Sequence, residues 1–98
     1  MLKILDILEE DYQKPYKDLE TSTDYIIRKF SEKIDPIELL WHRDDEDRTI
    51  EILEDTDWQI QLEDKLPTSL KDRIFIARHE WHRVIKGTGT LTLKIHKT

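Results

Sequence analysis

The chain has 98 residues, of which 39% are charged and 37% hydrophobic, and its formal net charge at pH 7 is −6. This length allows one domain with a single modest core and excludes two, while the patterned apolar residues exclude wholesale disorder. The negative charge repels phosphate, and no block of lysine or arginine offsets it, which argues against binding to nucleic acid or to an anionic membrane.

The sequence contains no cysteine, so it offers no disulfide, no thiolate ligand and no cysteine nucleophile. The apolar run Leu2–Leu8 is too short for a signal peptide, and no later stretch approaches the ~18 apolar residues that a membrane span requires. We therefore expect a cytoplasmic protein.

For residues 1–36, the first third of the chain, the sequence predicts an N-terminal arm followed by one short α-helix. Tyr12–Glu20 is polar and contains a proline, which is typical of a connecting loop. Apolar residues then recur at three- and four-residue spacing, with Ser22 or Thr23 as the N-cap and Asp35-Pro36 as the stop signal. The pattern predicts an amphipathic helix over residues 23–34, with Ile26, Ile27, Phe30 and Ile34 on its apolar face.

From Ile37 the hydrophobic period changes to two, and turn signals follow about every eight to twelve residues. This rhythm predicts an all-β sandwich or barrel over residues 37–98. Only two glycines serve its turns, so we expect Asp55, Asp64 or Asp72 to take some left-handed positions, and Gly87–Gly89 to form a hairpin turn. The predicted strands are 37–43, 48–53, 57–63, 73–77, 81–86 and 90–96.

Alternation along these strands brings two histidines and a carboxylate to one interior. Leu40, His42 and Asp44 share the inner face of the first strand, and His82 shares the inner face of the fifth strand with Val84. Two histidines and one carboxylate are the composition of a facial-triad site for a divalent metal. The spacing is nevertheless common by chance, so it indicates a metal site without requiring one.

Two metal-free interpretations use the same stretch. Asp44 or Asp47 could pair with Arg48 or Arg43 across the tip of a hairpin, which would make His42 an ordinary hydrogen-bonded barrel residue. Alternatively, Arg48 could hold the carboxylate of a small organic acid through a bidentate contact.

The remaining candidates receive simpler assignments. His79 is expected in a turn and His96 in solvent, and Trp81, opposite His82, could contribute to a subunit contact. Trp58 shares a face with Ile60 and Leu62 and is expected in the core. The candidate substrate-binding residues are Arg48, Trp58 and Gln61.

Two stretches of the chain together resemble the small single-domain cupins of bacteria and their phages. They are WHRDDEDRTIEILEDTDWQIQLEDKLP and LKDRIFIARHEWHRVIKGTGTLTLKI, and the resemblance covers about residues 38–96. His42 matches the first histidine of the family's H-x-H motif, Asp44 the second, and His82 the last histidine of its second motif. Arg48 stands in place of a glutamate, and a fixed cation there opposes binding of a dication. Turn positions also differ, since Asp55 and Lys71 replace glycines and Ala77 and His79 replace the Pro and Gly of Pro-x-Gly.

The resemblance implies a cupin-like double-stranded β-helix, or jelly-roll barrel. It also implies a pocket in which His42, Asp44 and His82 hold iron, manganese, zinc or nickel and Arg48 orients an anionic substrate. Small cupins are often homodimers, and Leu2–Leu8 could add a strand to a partner's sheet. The alternative is a non-catalytic, metal-free module that binds a small acid or another protein, including an acidic inhibitor that mimics nucleic-acid charge.

Overall fold

The computed structural model describes residues 16–36 and 39–97. Within these residues the fold is built from strands, and no helix has the length and apolarity needed to cross a membrane. The strands are β1 Tyr16–Thr21, β2 Tyr25–Phe30, β3 Arg48–Ile52, β4 Gln59–Leu62, β5 Thr68–Ser69, β6 Arg73–Ile76, β7 His82–Ile85 and β8 Leu91–Lys97.

Two antiparallel sheets enclose the core. The larger has the strand order β1-β2-β8-β3-β6 and the smaller the order β5-β4-β7. Trp58 is fully buried between them, and its ring lies 5.8 Å from that of Phe30 on β2. The other buried apolar residues include Ile26, Ile50, Ile60, Leu70, Ile76, Leu91, Leu93 and Ile95. The all-β jelly-roll fold expected from the sequence is confirmed.

Five of the six predicted strands are present, as β3, β4, β6, β7 and β8. The first predicted strand, 37–43, is wrong as a regular strand. Among its described residues only His42 makes a bridge, to His82. The predicted Asp44–Asp47 hairpin end is therefore a loop that leads into β3 from a segment bridged to β7.

The predicted helix over residues 23–34 is wrong. Residues 25–30 form β2, which pairs along its length with β1 on one side and β8 on the other. Residues four apart share a face in a helix and also in a strand, so the spacing of Ile26, Phe30 and Ile34 suits both structures. The side chain of Ser22, predicted as an N-cap, instead accepts hydrogen bonds from the backbone N–H groups of Asp24 and Tyr25 in the β1–β2 turn.

The loop predicted over Tyr12–Glu20 is also wrong over its described part, since β1 begins at Tyr16 and contains a register irregularity between Asp18 and Glu20. Residues 16–30 thus complete the larger sheet rather than forming an arm and helix outside the barrel. Leu2–Leu8 lies outside the described residues, and its addition to a partner's sheet, with the homodimer, stays a prediction.

The turns confirm part of the expected backbone chemistry. Asp64 and Asp72 have φ values of 59° and 53°, whereas Asp55 is not among the left-handed residues. His79 also has a positive φ of 65°, at the position where the cupin motif has glycine. Gly87–Gly89 is not a hairpin turn, because it connects β7 of the smaller sheet to β8 of the larger one.

This crossover loop is fastened to the residues before β4. The Asp57 carboxylate accepts hydrogen bonds from the Thr88 backbone N–H and hydroxyl, at 2.7 and 2.8 Å, and these bonds hold the pKa of Asp57 below its usual value of 3.8. The indole N–H of Trp58 donates to the carbonyl oxygens of Thr88 and Gly89, each at 3.2 Å. The loop must therefore approach Asp57 and Trp58 closely.

Replacing Gly87 with alanine is expected to destabilise the fold by about 1–3 kcal/mol through overpacking. A Cβ at this position would overlap the Asp57 carboxylate and lie 2.7 Å from the backbone nitrogen of Trp58. Urea unfolding measures the effect. The matched control is Gly89→Asn, because Gly89 has open space around its Cβ position and asparagine tolerates its φ of 69°. Equal midpoints for the two variants would contradict the close approach.

Candidate metal centre

Two backbone hydrogen bonds bring the two predicted histidines together. The His42 N–H donates to the His82 carbonyl at 3.0 Å, and the His82 N–H donates to the His42 carbonyl at 2.9 Å. Residues directly opposite each other in an antiparallel pair project to the same face. The two imidazole rings accordingly lie 4.2 Å apart, centroid to centroid, at an interplanar angle of 63°.

Asp44 lies beside the two histidines because hydrogen bonds from the loop before β7 hold the Asp44–Asp47 segment in place. The carbonyl of Asp44 accepts a hydrogen bond from the His79 N–H at 2.8 Å, and the Asp47 carboxylate accepts one from the Arg78 N–H at 2.7 Å. One potential ligand atom from each of His42, Asp44 and His82 lies within 4.8 Å of the others. The structure thus brings the three predicted ligands into one cluster.

Backbone carbonyls determine the tautomer of both histidines. Nδ1 of His82 lies 2.8 Å from the Glu80 carbonyl oxygen, and Nδ1 of His42 lies 3.2 Å from that of Leu40. A carbonyl oxygen can only accept, so each Nδ1 carries a proton, and either ring in its neutral form keeps a lone pair on Nε2. Metal-binding histidines are commonly oriented by such a hydrogen bond from the other ring nitrogen.

Burial favours the neutral form of His82. Its side chain is nearly inaccessible, and the loss of hydration lowers its pKa below the usual 6.5. The nearby His42 and Arg48 lower the pKa further, while the Glu80 carbonyl and the Asp44 carboxylate oppose the shift. A neutral imidazole is the form that binds a metal ion.

One contact in the cluster joins two hydrogen-bond acceptors. Nε2 of His82 lies 3.4 Å from Oδ2 of Asp44, and this carboxylate oxygen is buried without a hydrogen-bond partner among the described residues. Because Nε2 carries a lone pair in this tautomer, it cannot donate to the carboxylate. Two ligands about 2.1 Å from a tetrahedral metal ion stand about 3.4 Å apart, so the donor set and its spacing fit a divalent metal.

Arg48 occupies the other side of the carboxylate. Its Nη1 lies 3.3 Å from Oδ1 of Asp44, and its Nη2 lies 3.5 Å from a carboxylate oxygen of Glu46. The ion pair expected in the metal-free interpretation is therefore present. Arg48 would compete with a metal ion for Asp44, because a guanidinium beside a dication is electrostatically unfavourable.

The cluster opens into a cavity of about 420 Å³ that is partly open to solvent. Most of its lining is aliphatic, and His42, Asp44, Arg48 and His82 contribute the polar groups of the cluster. Tyr16 and Arg28 also line the cavity but were missed, because the sequence assigned them to a loop and a helix. The run Tyr25–Phe30, rich in aromatic and β-branched residues, was the signal for a strand.

The other candidate residues lie away from the cluster. Trp58 is fully buried and Gln61 bonds to Arg83 and to the Lys65 carbonyl, and neither lines the cavity. His79 is exposed in a loop, as expected, and lies 3.4 Å from Asp45. His96 is half-buried and lies 2.8 Å from Glu51 on the outer face of the larger sheet.

The lowered pKa of His82 predicts that the metal-free protein loses stability in mild acid. The unfolded chain takes up this proton at about pH 6.5, before the folded one, so the contribution is complete above that pH and declines as the pH falls toward the folded-state pKa. Urea unfolding with a chelator measures the decline, and nuclear magnetic resonance follows the His82 ring directly. A ring midpoint at or above 6.5 would contradict the shift.

Comparison with known proteins identifies the fold of the chain that carries this cluster. No protein-family model and no curated protein matches the sequence. Among solved structures, protein NMB1881 from Neisseria meningitidis is similar with a TM-score of 0.57 and 12% identity, over 84% of this chain and 81% of that one. A cupin-2 domain containing protein from Shewanella frigidimarina gives 0.54 and 18%, over 94% and 88%. The apo form of HppE gives 0.54 and 16%, over 83% of this chain and 48% of that one. The chain has the cupin fold.

Proposed function

We propose that this protein is a small metal-binding cupin whose His42, Asp44 and His82 hold one divalent ion. The observation that carries the proposal is the buried pair of facing acceptors, Nε2 of His82 and Oδ2 of Asp44, at 3.4 Å. Two lone-pair atoms at this distance repel each other unless a proton or a metal ion lies between them, and the burial of His82 disfavours its doubly protonated form.

The residues around the cluster supply what a metal site needs. The Leu40 and Glu80 carbonyls orient the two rings through Nδ1, so little ordering remains to be done when an ion arrives. His42 is exposed, whereas His82 is buried, so an ion would meet His42 at the cavity mouth before it reaches the interior ligands.

Three protein ligands would leave coordination positions open. Iron, manganese, zinc or nickel bound in this way supplies Lewis acidity and a position for water or substrate. The chain's own residues would orient the ion, exclude water with the aliphatic walls and hold an anionic group near Arg48.

A metal-free binding module is the second candidate, and the Asp44–Arg48 ion pair at 3.3 Å favours it. Without an ion, the Asp44 carboxylate and the Arg48 guanidinium cancel in charge, so Asp44 needs no metal ion to balance its charge. On this alternative the cavity binds its ligand without a metal.

Metal content separates the two candidates. Untagged protein purified without chelator, and then offered each of the four metals in turn, is expected to hold about one ion per chain, measured by elemental analysis after desalting. His42→Ala and Asp44→Asn each remove one ligand and are expected to reduce the content at least about tenfold, the loss typical of a weakened metal site.

The matched control is His79→Asn, which removes an exposed histidine outside the cluster and keeps a residue that tolerates a positive φ. It should retain the metal. Less than about a tenth of an equivalent in the wild type with every metal would support the metal-free module instead.

A further inference from the structure

The cavity beyond the metal cluster has aliphatic walls. A ligand that fills about 420 Å³ there would contact methyl and methylene groups along most of its length. A sugar or nucleotide would leave its hydroxyl groups without partners against such walls, which is costly. The cavity therefore fits a ligand with an apolar body. Its wall residues include Ile50, Ile60, Leu70, Ile76, Leu93 and Ile95.

The polar end of the cavity is formed by His42, Asp44, Arg48 and His82, and its net charge changes when an ion binds. In the absence of the ion the formal charges of Asp44 and Arg48 cancel, and Glu46, whose carboxylate lies 3.5 Å from Arg48, adds one negative charge at the rim. A dication brings the net formal charge of these three side chains and the ion to +1. Uncompensated charge in a partly buried site is unfavourable, so the ion-loaded site attracts an anion.

Arg48 has donor capacity to hold that anion. Its Nε is buried without a hydrogen-bond partner among the described residues. Its contacts with Asp44 and Glu46, at 3.3 and 3.5 Å, are longer than the roughly 2.7–2.9 Å of a strong charge-assisted hydrogen bond. If Asp44 turns its charge toward a metal ion, the guanidinium is left with donors suited to a carboxylate.

The second arginine in the cavity is already neutralised. Nε and Nη2 of Arg28 lie 2.7 and 3.3 Å from the two carboxylate oxygens of Asp18, and its guanidinium lies 3.7 Å from the centre of the Tyr16 ring. Arg28 is on β2, two strands away from Arg48 on β3 in the larger sheet. Among the residues that the structure describes, the far part of the cavity therefore has no uncompensated charge to attract a second acid group.

From these observations we propose that the cavity binds an aliphatic monocarboxylate cooperatively with the metal ion. The carboxylate lies between the ion and Arg48, and the alkyl chain fills the aliphatic cavity. The inference rests on the proposed metal site and adds its ligand class. By thermodynamic linkage, the acid must raise the affinity for the ion by the same factor as the ion raises the affinity for the acid.

Calorimetry with Zn²⁺ and a series of straight-chain acids tests the ligand class. For the Zn²⁺-loaded wild type, the affinity is expected to rise from butanoate to hexanoate to octanoate, by up to about fourfold per methylene group. Octanedioate should bind more weakly than octanoate, because its second carboxylate would be buried among aliphatic side chains. Affinity that does not change with chain length, or tighter binding of the diacid, overturns the inference.

The cooperativity has its own measurement. Octanoate is expected to bind at least about fivefold more tightly with Zn²⁺ than without it, and saturating octanoate should tighten Zn²⁺ binding by the same factor. Titration of octanoate into Zn²⁺ without protein corrects for direct association. Equal octanoate affinities with and without Zn²⁺ reject the cooperative arrangement.

Two arginine variants complete the test. Arg48→Gln is expected to abolish most of the increase in octanoate affinity that Zn²⁺ causes. Arg73→Gln, which removes an exposed arginine paired with Glu51 on the outer face of the same sheet, should leave that increase intact. Urea unfolding shows whether each variant folds. The chain-length series uses the wild type, so it tests the ligand class even if a variant does not fold.

Failure of the metal site is distinguishable from failure of the ligand class. If Zn²⁺ does not bind, the cooperativity with Zn²⁺ is rejected, the content of the other three metals decides the metal proposal, and the chain-length series in the metal-free protein decides whether the cavity takes aliphatic acids. If Zn²⁺ binds but no acid does, the metal site stands and the ligand inference is rejected.

Discussion

The reciprocal backbone hydrogen bonds between His42 and His82 are the contact on which the candidate site depends. At 3.0 and 2.9 Å they join a loop to the start of β7, and they put two residues far apart in sequence directly opposite each other. Residues in this relation share a face, so the rings must meet. Since the backbone makes these bonds, the site's geometry is a property of the fold before any ion is present.

The same bridge determines what lies on its outer face. The residues on either side of the two histidines point away from the cavity and form crossed pairs, with Arg43 5.1 Å from the centre of the Trp81 ring and Arg83 5.0 Å from that of Trp41. Each cation–π pair contributes about 0.5–1 kcal/mol at an exposed site. The pairs thus hold the bridge from outside while the histidines line the cavity within.

Asp44 links the chemistry of the cluster to that of the cavity. One of its oxygens lies 3.3 Å from Arg48 and the other lies 3.4 Å from His82, so an ion and the guanidinium compete for one carboxylate. The cavity behind them also matters for stability, because an unfilled apolar space forgoes packing that a domain of 98 residues can use. A ligand that fills it would stabilise the fold as well as complete the charge balance.

The sequence by itself determined the all-β rhythm from residue 48 onward, the candidate ligand set of His42, Asp44 and His82, and the resemblance to cupins. It did not determine β1 and β2, because the spacing of Ile26 and Phe30 satisfies a helix and a strand alike, and the choice between them depends on pairing with β8. The sequence also did not place Arg28 in the cavity, because Arg28 reaches the cavity only through the pairing of β2 with β8. Only the tertiary structure decided these points, because hydrogen bonds between distant strands leave no periodic trace in either strand alone.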